Sequence, residues 1–425
     1  MNNSPKVLVV GINPWVDNTG IHTLINFFSN WGTNSLAHLY TRDGLPNTAI
    51  CNTFFRISEN QLIKSIFKRN VKTGESIENT VTITTKNSSA IYQKKHTSLM
   101  TFAREIVWVL GNWKTAELCR FLDEFQPDVL FFPVYSTVYM NRLQNFIADY
   151  TEKPVILYSS DDNYSYQSIS KTPLQLFERF WLRRHETKLF KRANKIMVIS
   201  PKQKEEYDRL FKTNCTILTK GIDYTGTQYC QLPIHRPIKM VYTGKMIIGR
   251  WRSLAAIAEV LGEINAGGEI MVLDIYTTDQ LTKEQSAKLN RNGCSVKGGI
   301  PLEEVFNVQK NADILVFVES LERKYRYRAR LSFSTKLTDY FKVGKCIFAI
   351  GDEEIAPIDY LKRFDSAVVA TSYEEIRKKL KDICKRPDLI AHYGKKAFDC
   401  GQKNHDAEEQ KQVLHNEIVE VLCKK

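Results

Sequence analysis

The chain is expected to be α/β, folded as two tandem doubly wound Rossmann-like domains that face a central cleft. Short β-branched runs alternate with amphipathic stretches over most of its 425 residues, the rhythm of parallel strands joined by crossover helices. The alternation lapses between Asp223 and Pro237 and then resumes. The length also exceeds what one core holds, at roughly 150 residues per domain.

Val7 to Val10 is a continuous apolar run ending at Gly11, which suits a buried parallel strand. The loop GINPWVDNTG leads into a helix with Ile21, Leu24, Ile25 and Phe28 at helical spacing. Gly20 would let the backbone approach a ligand where that helix starts, or serves simply as a tight-turn residue. Residues 47–98 are polar and poorly periodic and read as an insertion of weak elements. From Leu99 to Phe125 the apolar residues recur at helical spacing, predicting one or two amphipathic helices.

A regular series follows: strand VLFFPVY, a helix near 139–150, strand VILYSSDD, a helix over 174–191, strand IMVIS, helix PKQKEEYDRLF and strand TILTKG. Residues 223–237, with two prolines and no periodicity, form the linker. The second series runs KMVYTG, helix 254–265, IMVLDIY, helix 282–290, SVKGGI, helix 302–311, DILVFVE, helix 335–343 and CIFAIG. A helix over 407–421 follows, with one apolar face that could pack back across both domains. The units are therefore 1–228, 229–405 and a terminal helical segment, 406–425.

With 43% hydrophobic and 25% charged residues, collagen, disorder and coiled coil are excluded. The net charge of +13 favours an anionic partner: a nucleotide, a phospholipid surface or a nucleic acid. No RNA- or DNA-binding motif organises the cations, which argues against nucleic acid. Nine cysteines, an odd number without a CxxC pair, suggest neither a zinc ribbon nor a complete disulfide framework, and a reducing cytosol is the expected home. The start MNNSPKVLVVG lacks a signal-peptide pattern, and no apolar run approaches the roughly 18 residues of a spanning helix. Any membrane contact would be peripheral, at the inner face. The segment Glu178 to Lys195, with seven basic and two acidic residues among aromatic ones, could rest on an anionic membrane or be an ordinary helix burying its apolar stripe.

Ligands of doubly wound sheets sit at the carboxyl ends of the strands. Glu319 lies at such an end, followed by a basic loop with Arg323, Lys324, Arg326, Arg328 and Arg330. Five cations suit a diphosphate or an anionic acceptor, or form a solvated charge run. Next, Ser334 and Thr335 precede a helix and could cap it or hold a phosphate; Lys336 could neutralise one, and Asp339 could accept hydrogen bonds from ribose hydroxyls. Gly244, Lys245 and Arg250, after the strand KMVYT, form a second phosphate candidate. Neither GxxxxGK[ST] nor GxGxxG occurs, which disfavours a P-loop NTPase or a dehydrogenase. Asp161-Asp162, at the end of VILYSSDD, could orient an acceptor hydroxyl or take its proton, or merely start a turn. No DxD-like motif stands at a convincing place, so no metal site is expected.

In order, PDVLFFP, KPVILYSSDD, ANKIMVIS, TKGID, VYTG with Arg250, VKGGIP, NADILVFVE and SFSTKLTDYFKVGKCIFA resemble the retaining nucleotide-sugar glycosyltransferases of group 1, also called family 4, which have the GT-B fold. The last string is the most specific, resembling the family's P-x-K-x-x-E-Y-x-x-x-G-K-P helix. The resemblance implies a glycosyltransferase without a cofactor, moving a sugar from a nucleotide-diphosphate donor to a glycan or lipid-linked acceptor in surface polysaccharide or glycolipid synthesis.

By position it implies that Asp339 takes the place of the family's ribose-binding Glu, that Lys245 and Arg250 lie at the donor diphosphate, and that Val296 to Ile300, including Lys297, Gly298 and Ile300, edge the nucleotide base; Gly244, Ser334, Thr335 and Lys336, read from the residues themselves, complete the donor set. Arg250, Glu319, Asp161 and Asp162 would carry the chemistry, and Trp15, Asn18 and Gly20 would face the acceptor. Two departures stand out: the family's first Glu falls at Leu331, and Ser159 to Asp162 stand where many relatives have a His. A sugar-nucleotide epimerase of the same fold and a non-catalytic nucleotide or glycan binder are the alternatives.

Overall fold

The computed structural model describes residues 4–17, 23–68, 71–79 and 98–424. Asn18 and Gly20 lie outside them. Among the described residues the first sheet has eight strands in the order β4-β3-β2-β1-β5-β6-β7-β8. They are β1 (Val7–Gly11), β2 (Leu36–Tyr40), β3 (Thr53–Arg56), β4 (Glu75–Ile77), β5 (Val129–Pro133), β6 (Val155–Ser159), β7 (Lys195–Val198) and β8 (Thr216–Ile217). Only the β3–β4 pair is antiparallel. Six parallel strands form the second sheet, in the order β11-β10-β9-β12-β13-β14. These are β9 (Ile238–Thr243), β10 (Met271–Tyr276), β11 (Cys294–Gly298), β12 (Ile314–Val318), β13 (Cys346–Ile350) and β14 (Val368–Ala370).

Continuous apolar strands are what a sheet covered on both faces requires. In β1, Leu8 and Val10 enter the core beneath the helices Ser98–Leu110, Ala116–Phe125 and Val138–Thr151, while Val7 and Val9 enter the opposite one. In β12 the split is Ile314, Val316 and Val318 against Leu315 and Phe317. No helix among the described residues is long and apolar enough to cross a membrane.

Three sequence readings need correction. Residues 47–68 and 71–79 contain β3, β4 and the helix Glu59–Phe67, which Ser58 and Gln61 start with a reciprocal capping box. The basic segment read as a loop is the helix Arg323–Ala329. The expected helix at 254 begins four residues earlier, at Arg250, directly after Gly249 in the left-handed region at φ 75°.

The helix Ala407–Cys423 packs on the first domain. Leu414, Ile418 and Val421 share a core with Val7, Val9 and Phe28, and Glu417 pairs with Lys195 at 3.0 Å. The chain therefore passes between the domains twice. The two passages are joined where Ile222 N–H donates to the His405 carbonyl at 2.7 Å and Ala407 N–H to the Ile222 carbonyl at 3.0 Å. His405 is fully buried here, its Nδ1 2.9 Å from Thr219 Oγ1 and its Nε2 2.9 Å from the Tyr360 hydroxyl, stacked on Phe333 and Phe341.

Burial pushes the His405 imidazole down to about 4. The unfolded chain takes up this proton as pH falls through about 6.5, well before the folded one, so stability drains away between about pH 6.5 and 4 and is intact above that window. His405→Asn is expected to lose about 2 kcal/mol less stability than the wild type between pH 7 and pH 5, read by urea unfolding. Equal losses in the two proteins would show that His405 is not the titrating group.

Candidate functional site

In the second sheet β9 lies between β10 and β12, so the crossovers from β9 to β10 and from β12 to β13 run in opposite directions and the switch point falls between β9 and β12. By the general rule for doubly wound sheets, a ligand crevice is expected there, at the carboxyl ends of the two strands. Gly244 follows β9 at φ 143°, a conformation side chains avoid, and a Cβ on it would lie 1.8 Å from Lys336 Nζ. Glycine is thus required twice, for the turn and for the close approach of the ammonium group. Two helices start at this crevice, Arg250–Ile264 and Thr335–Val343, and neither has a side-chain cap hydrogen bond. In the first, the amides of Arg250, Trp251 and Arg252 donate to the carbonyls of Ile247, Met246 and Gly249 at 3.4, 3.3 and 3.1 Å; in the second, the Thr335 and Lys336 amides lack intrahelical acceptors, the arrangement that binds anions.

Arg250, in the first turn of its helix, meets Glu319 at the end of β12 through two parallel bonds, Nε to Oε2 at 3.0 Å and Nη2 to Oε1 at 2.7 Å. Burial opposes the charge on Arg250, but the Glu319 carboxylate outweighs it and holds the guanidinium above its ordinary value. Ser253 Oγ donates to the Glu319 carbonyl at 3.1 Å and fixes the strand end.

Lys336 is treated differently. Its Nζ lies 5.2 Å from the centre of the Tyr242 ring, and among the described residues no carboxylate forms an ion pair with it. Burial and then the neighbouring Arg250 push it down to about 8. Lys245 is exposed beside it, while its carbonyl accepts from the Tyr242 hydroxyl at 2.6 Å. Asp279, which the sequence reading left aside, accepts from Met246 N–H at 2.6 Å and shapes this loop.

Across the cleft, Arg330 of the second domain reaches two carboxylates of the first. Its Nε donates to Asp162 Oδ2 at 3.0 Å and its Nη2 to Glu206 Oε1 at 2.7 Å. Ser332 donates to Asp161, and Leu331 is fully buried in the first domain's core.

These contacts redraw several sequence expectations. Asp162 is not open to an acceptor, because Arg330 occupies its carboxylate and the side chain is buried; Asp161 is exposed but engaged by Ser332. Both oxygens of Glu319 are committed to Arg250, which makes it a positioning group. Trp15 is buried between Phe28 and His38, with ring centres 6.3 and 4.3 Å away, so its ring offers no face to an acceptor.

Asp339 is half-exposed and pairs with Lys220 at 2.8 Å. Ser334 is the residue before its helix and Thr335 is exposed at the start. Lys297, at the end of β11, pairs with Asp274 at 3.2 Å. Gly298 has open space where a Cβ would stand, with half-buried Ile300 just beyond. β11 is two strands from β9, about 10 Å along the ridge. Gly244, Arg250 and Lys336 are thus brought together, and Lys297 to Ile300 form the far end of the same edge. Arg330, read in the sequence as one of five cations for an anionic ligand, is spent on Asp162 and Glu206; Glu206 had no signal in the sequence, since its role depends on how the domains meet.

No family model matches the chain, and no curated protein matches its sequence. Solved structures do match its shape. Anabaena HepE in complex with UDP is 10% identical, with a TM-score of 0.63 over 98% of this chain and 100% of that chain. Sucrose-phosphate synthase from Thermosynechococcus elongatus is 10% identical, with a TM-score of 0.64 over 99% of this chain and 100% of that one. An α,α-trehalose-phosphate synthase (UDP-forming) from Burkholderia vietnamiensis is 8% identical, with a TM-score of 0.57 over 98% of this chain and 100% of that one. The chain has the GT-B fold.

Glu319→Ala would leave the Arg250 guanidinium buried and unpaired. It is expected to lower unfolding free energy by about 3 kcal/mol, measured by urea denaturation. A change below about 1 kcal/mol would mean that water, not Glu319, satisfies Arg250.

Proposed function

We propose that the chain is a glycosyltransferase that takes its sugar from a nucleoside-diphosphate donor seated between β9 and β12. The observation that carries this is Lys336, a cation that forms no ion pair among the described residues, pressed against Gly244 at the start of the helix Thr335–Val343, which has no side-chain cap. The Glu319 carboxylate is spent on Arg250, which leaves the Lys336 ammonium to meet incoming negative charge. HepE, whose shape this chain shares, has been solved with UDP and with UDP-glucose, and this supports a uridine donor.

Breaking the bond between the anomeric carbon and the donor's phosphate oxygen leaves negative charge on the diphosphate and positive charge on the sugar. Groups already in place where charge grows lower the barrier without reorganising. Lys336 and Lys245 would meet the diphosphate directly. Arg250, held by Glu319, would present its remaining donor edge in a fixed direction, and the amides of Thr335 and Lys336 would complete the set. We propose that these groups, rather than a metal ion, neutralise the leaving group.

Asp339 would exchange Lys220 for the ribose hydroxyls, and the base would lie along Lys297 to Ile300. The match of Ser332 to Ala349 with the retaining family supports retention at the anomeric carbon. The first domain would supply the acceptor wall, in synthesis of a surface polysaccharide or glycolipid.

UDP is expected to raise the melting temperature by mass action, and Lys336→Ala to weaken UDP at least tenfold. The sign of the pH dependence follows from the lowered Lys336: as pH rises through about 8 the ammonium is lost, so UDP affinity falls roughly tenfold between pH 7 and 9. In Lys336→Arg, which stays charged, the profile should be flat. No thermal shift with UDP, UDP-glucose or other nucleoside diphosphates at millimolar concentration would overturn the donor reading.

A further inference from the structure

Away from the donor crevice, the first domain has a cavity of about 400 Å³ between the helices Ser98–Leu110 and Pro173–Arg192. Its volume is within the range of about 300–1,000 Å³ typical of small-molecule sites. Phe102, Val138, Leu174, Phe177, Trp181 and Leu182 give it an apolar lining.

Of the polar residues in the wall, Glu105, Arg179 and Gln175 spend polar atoms on backbone, while Ser136 and Glu178 stand exposed. Glu105 accepts from Val138 N–H at 2.8 Å and Tyr139 N–H at 2.9 Å, starting the helix Val138–Thr151 in place of Thr137, which makes no capping bond. Arg179 donates to the carbonyls of Asp162 and Asn163. Gln175 Oε1 accepts from Ser170 N–H at 2.9 Å. Most of what remains facing the cavity is hydrocarbon.

The mouth is as telling as the lining. Leu174, Phe177 and Phe180 expose 58, 61 and 62% of their surface, and Phe102 and Ile106 on the facing helix expose 48 and 44%. A contiguous apolar face of this kind marks an interaction site. Over the next turns the same helix becomes basic, with Arg183, Arg184, Lys188, Lys191 and Arg192. Arg183 stacks on Tyr164 and Tyr166 at 4.3 and 4.7 Å and forms no ion pair among the described residues. Apolar anchors beside cations complement a chain with an anionic head. Arg179 also ties the cavity wall to Asp162, the carboxylate that Arg330 grips from the second domain, so the cavity adjoins the cleft.

We propose that this cavity holds the hydrocarbon chain of a lipid-linked acceptor, with the anionic head of that lipid on the Arg183 side. The assignment rests on the transferase reading and narrows its acceptor to a lipid. It predicts chain-length dependence, because each methylene withdrawn from water strengthens binding roughly fourfold until the cavity is full.

The test is calorimetric titration of the full chain with hexyl, octyl and decyl β-glucosides, kept below their micelle concentrations. UDP thermal shifts are measured on the same samples. Affinity should rise about sixteenfold from octyl to decyl. Leu174→Asp and Phe177→Asp, at exposed positions that folding tolerates, should abolish the dependence while UDP binding persists, and Leu174→Met should restore it.

A flat series, or an undiminished one in both aspartate variants, overturns the proposal. So does binding to phosphatidylglycerol vesicles without any chain-length effect, which would make the face a bilayer contact. A wild-type dimer that the variants render monomeric would assign the face to a second copy and also overturn it. A UDP shift without alkyl binding sinks only the chain site; loss of the UDP shift sinks the transferase reading itself.

Discussion

The relative placement of the two domains depends on one guanidinium. Arg330 leaves the second domain and is gripped by Asp162 and Glu206 of the first. Burial alone would discourage its charge, but Glu206 and Asp162 outweigh that penalty and hold it above its ordinary value. Withdrawing one partner from such a desolvated group is far costlier than losing an exposed ion pair. Leu331, buried in the first domain, and Ser332, on Asp161, extend the grip. Three residues later the helix Thr335–Val343 begins. Its far side is fixed by buried Leu337 and Tyr340, so the amides and ammonium that face Gly244 inherit their direction from contacts on both sides of the cleft.

Within the crevice, two cations meet different electrostatic fates. Arg250 is partly buried with a carboxylate and is stable as a charged, oriented donor. Lys336 is partly buried beside Arg250 without an ion-pair partner among the described residues, so repulsion adds to desolvation and its proton is loosely held. An anion arriving between them removes both penalties at once. The proposed donor site would therefore hold its binding energy as positive charge on Lys336, which an incoming diphosphate would relieve.

Much of this was legible in the sequence because apolar runs and helical spacing record burial directly. The strands β1, β5, β6, β9, β10, β12 and β13 are short apolar segments that only a doubly covered sheet explains. The motif residues Gly244, Arg250 and Lys336 converge because each follows a strand of the same sheet. β2 and β3 were harder to see: LAHLY and TFFR carry a His and an Arg, and their neighbours are polar. The region with β14 and the helices 356–363, 373–385 and 388–405 was left unread, its apolar residues diluted by lysine-rich exposed faces. The roles of Asp161 and Asp162 were illegible in principle. A carboxylate at a strand end reads the same whether its partner is a substrate or an arginine more than 160 residues away.

The helix Ala407–Cys423 has a bearing on how the molecule is made. It fills a core whose other members begin at Val7, so the first domain is discontinuous in sequence and wraps around the second. During vectorial synthesis, domains ordinarily condense in order as they emerge. Here the second domain, with all its strands between 238 and 370, can close while the first still exposes the apolar groove that Leu414, Ile418 and Val421 will cover. The nascent chain thus carries an unfinished hydrophobic surface for the whole time that residues 218–406 are being translated, the interval in which a chaperone would find it.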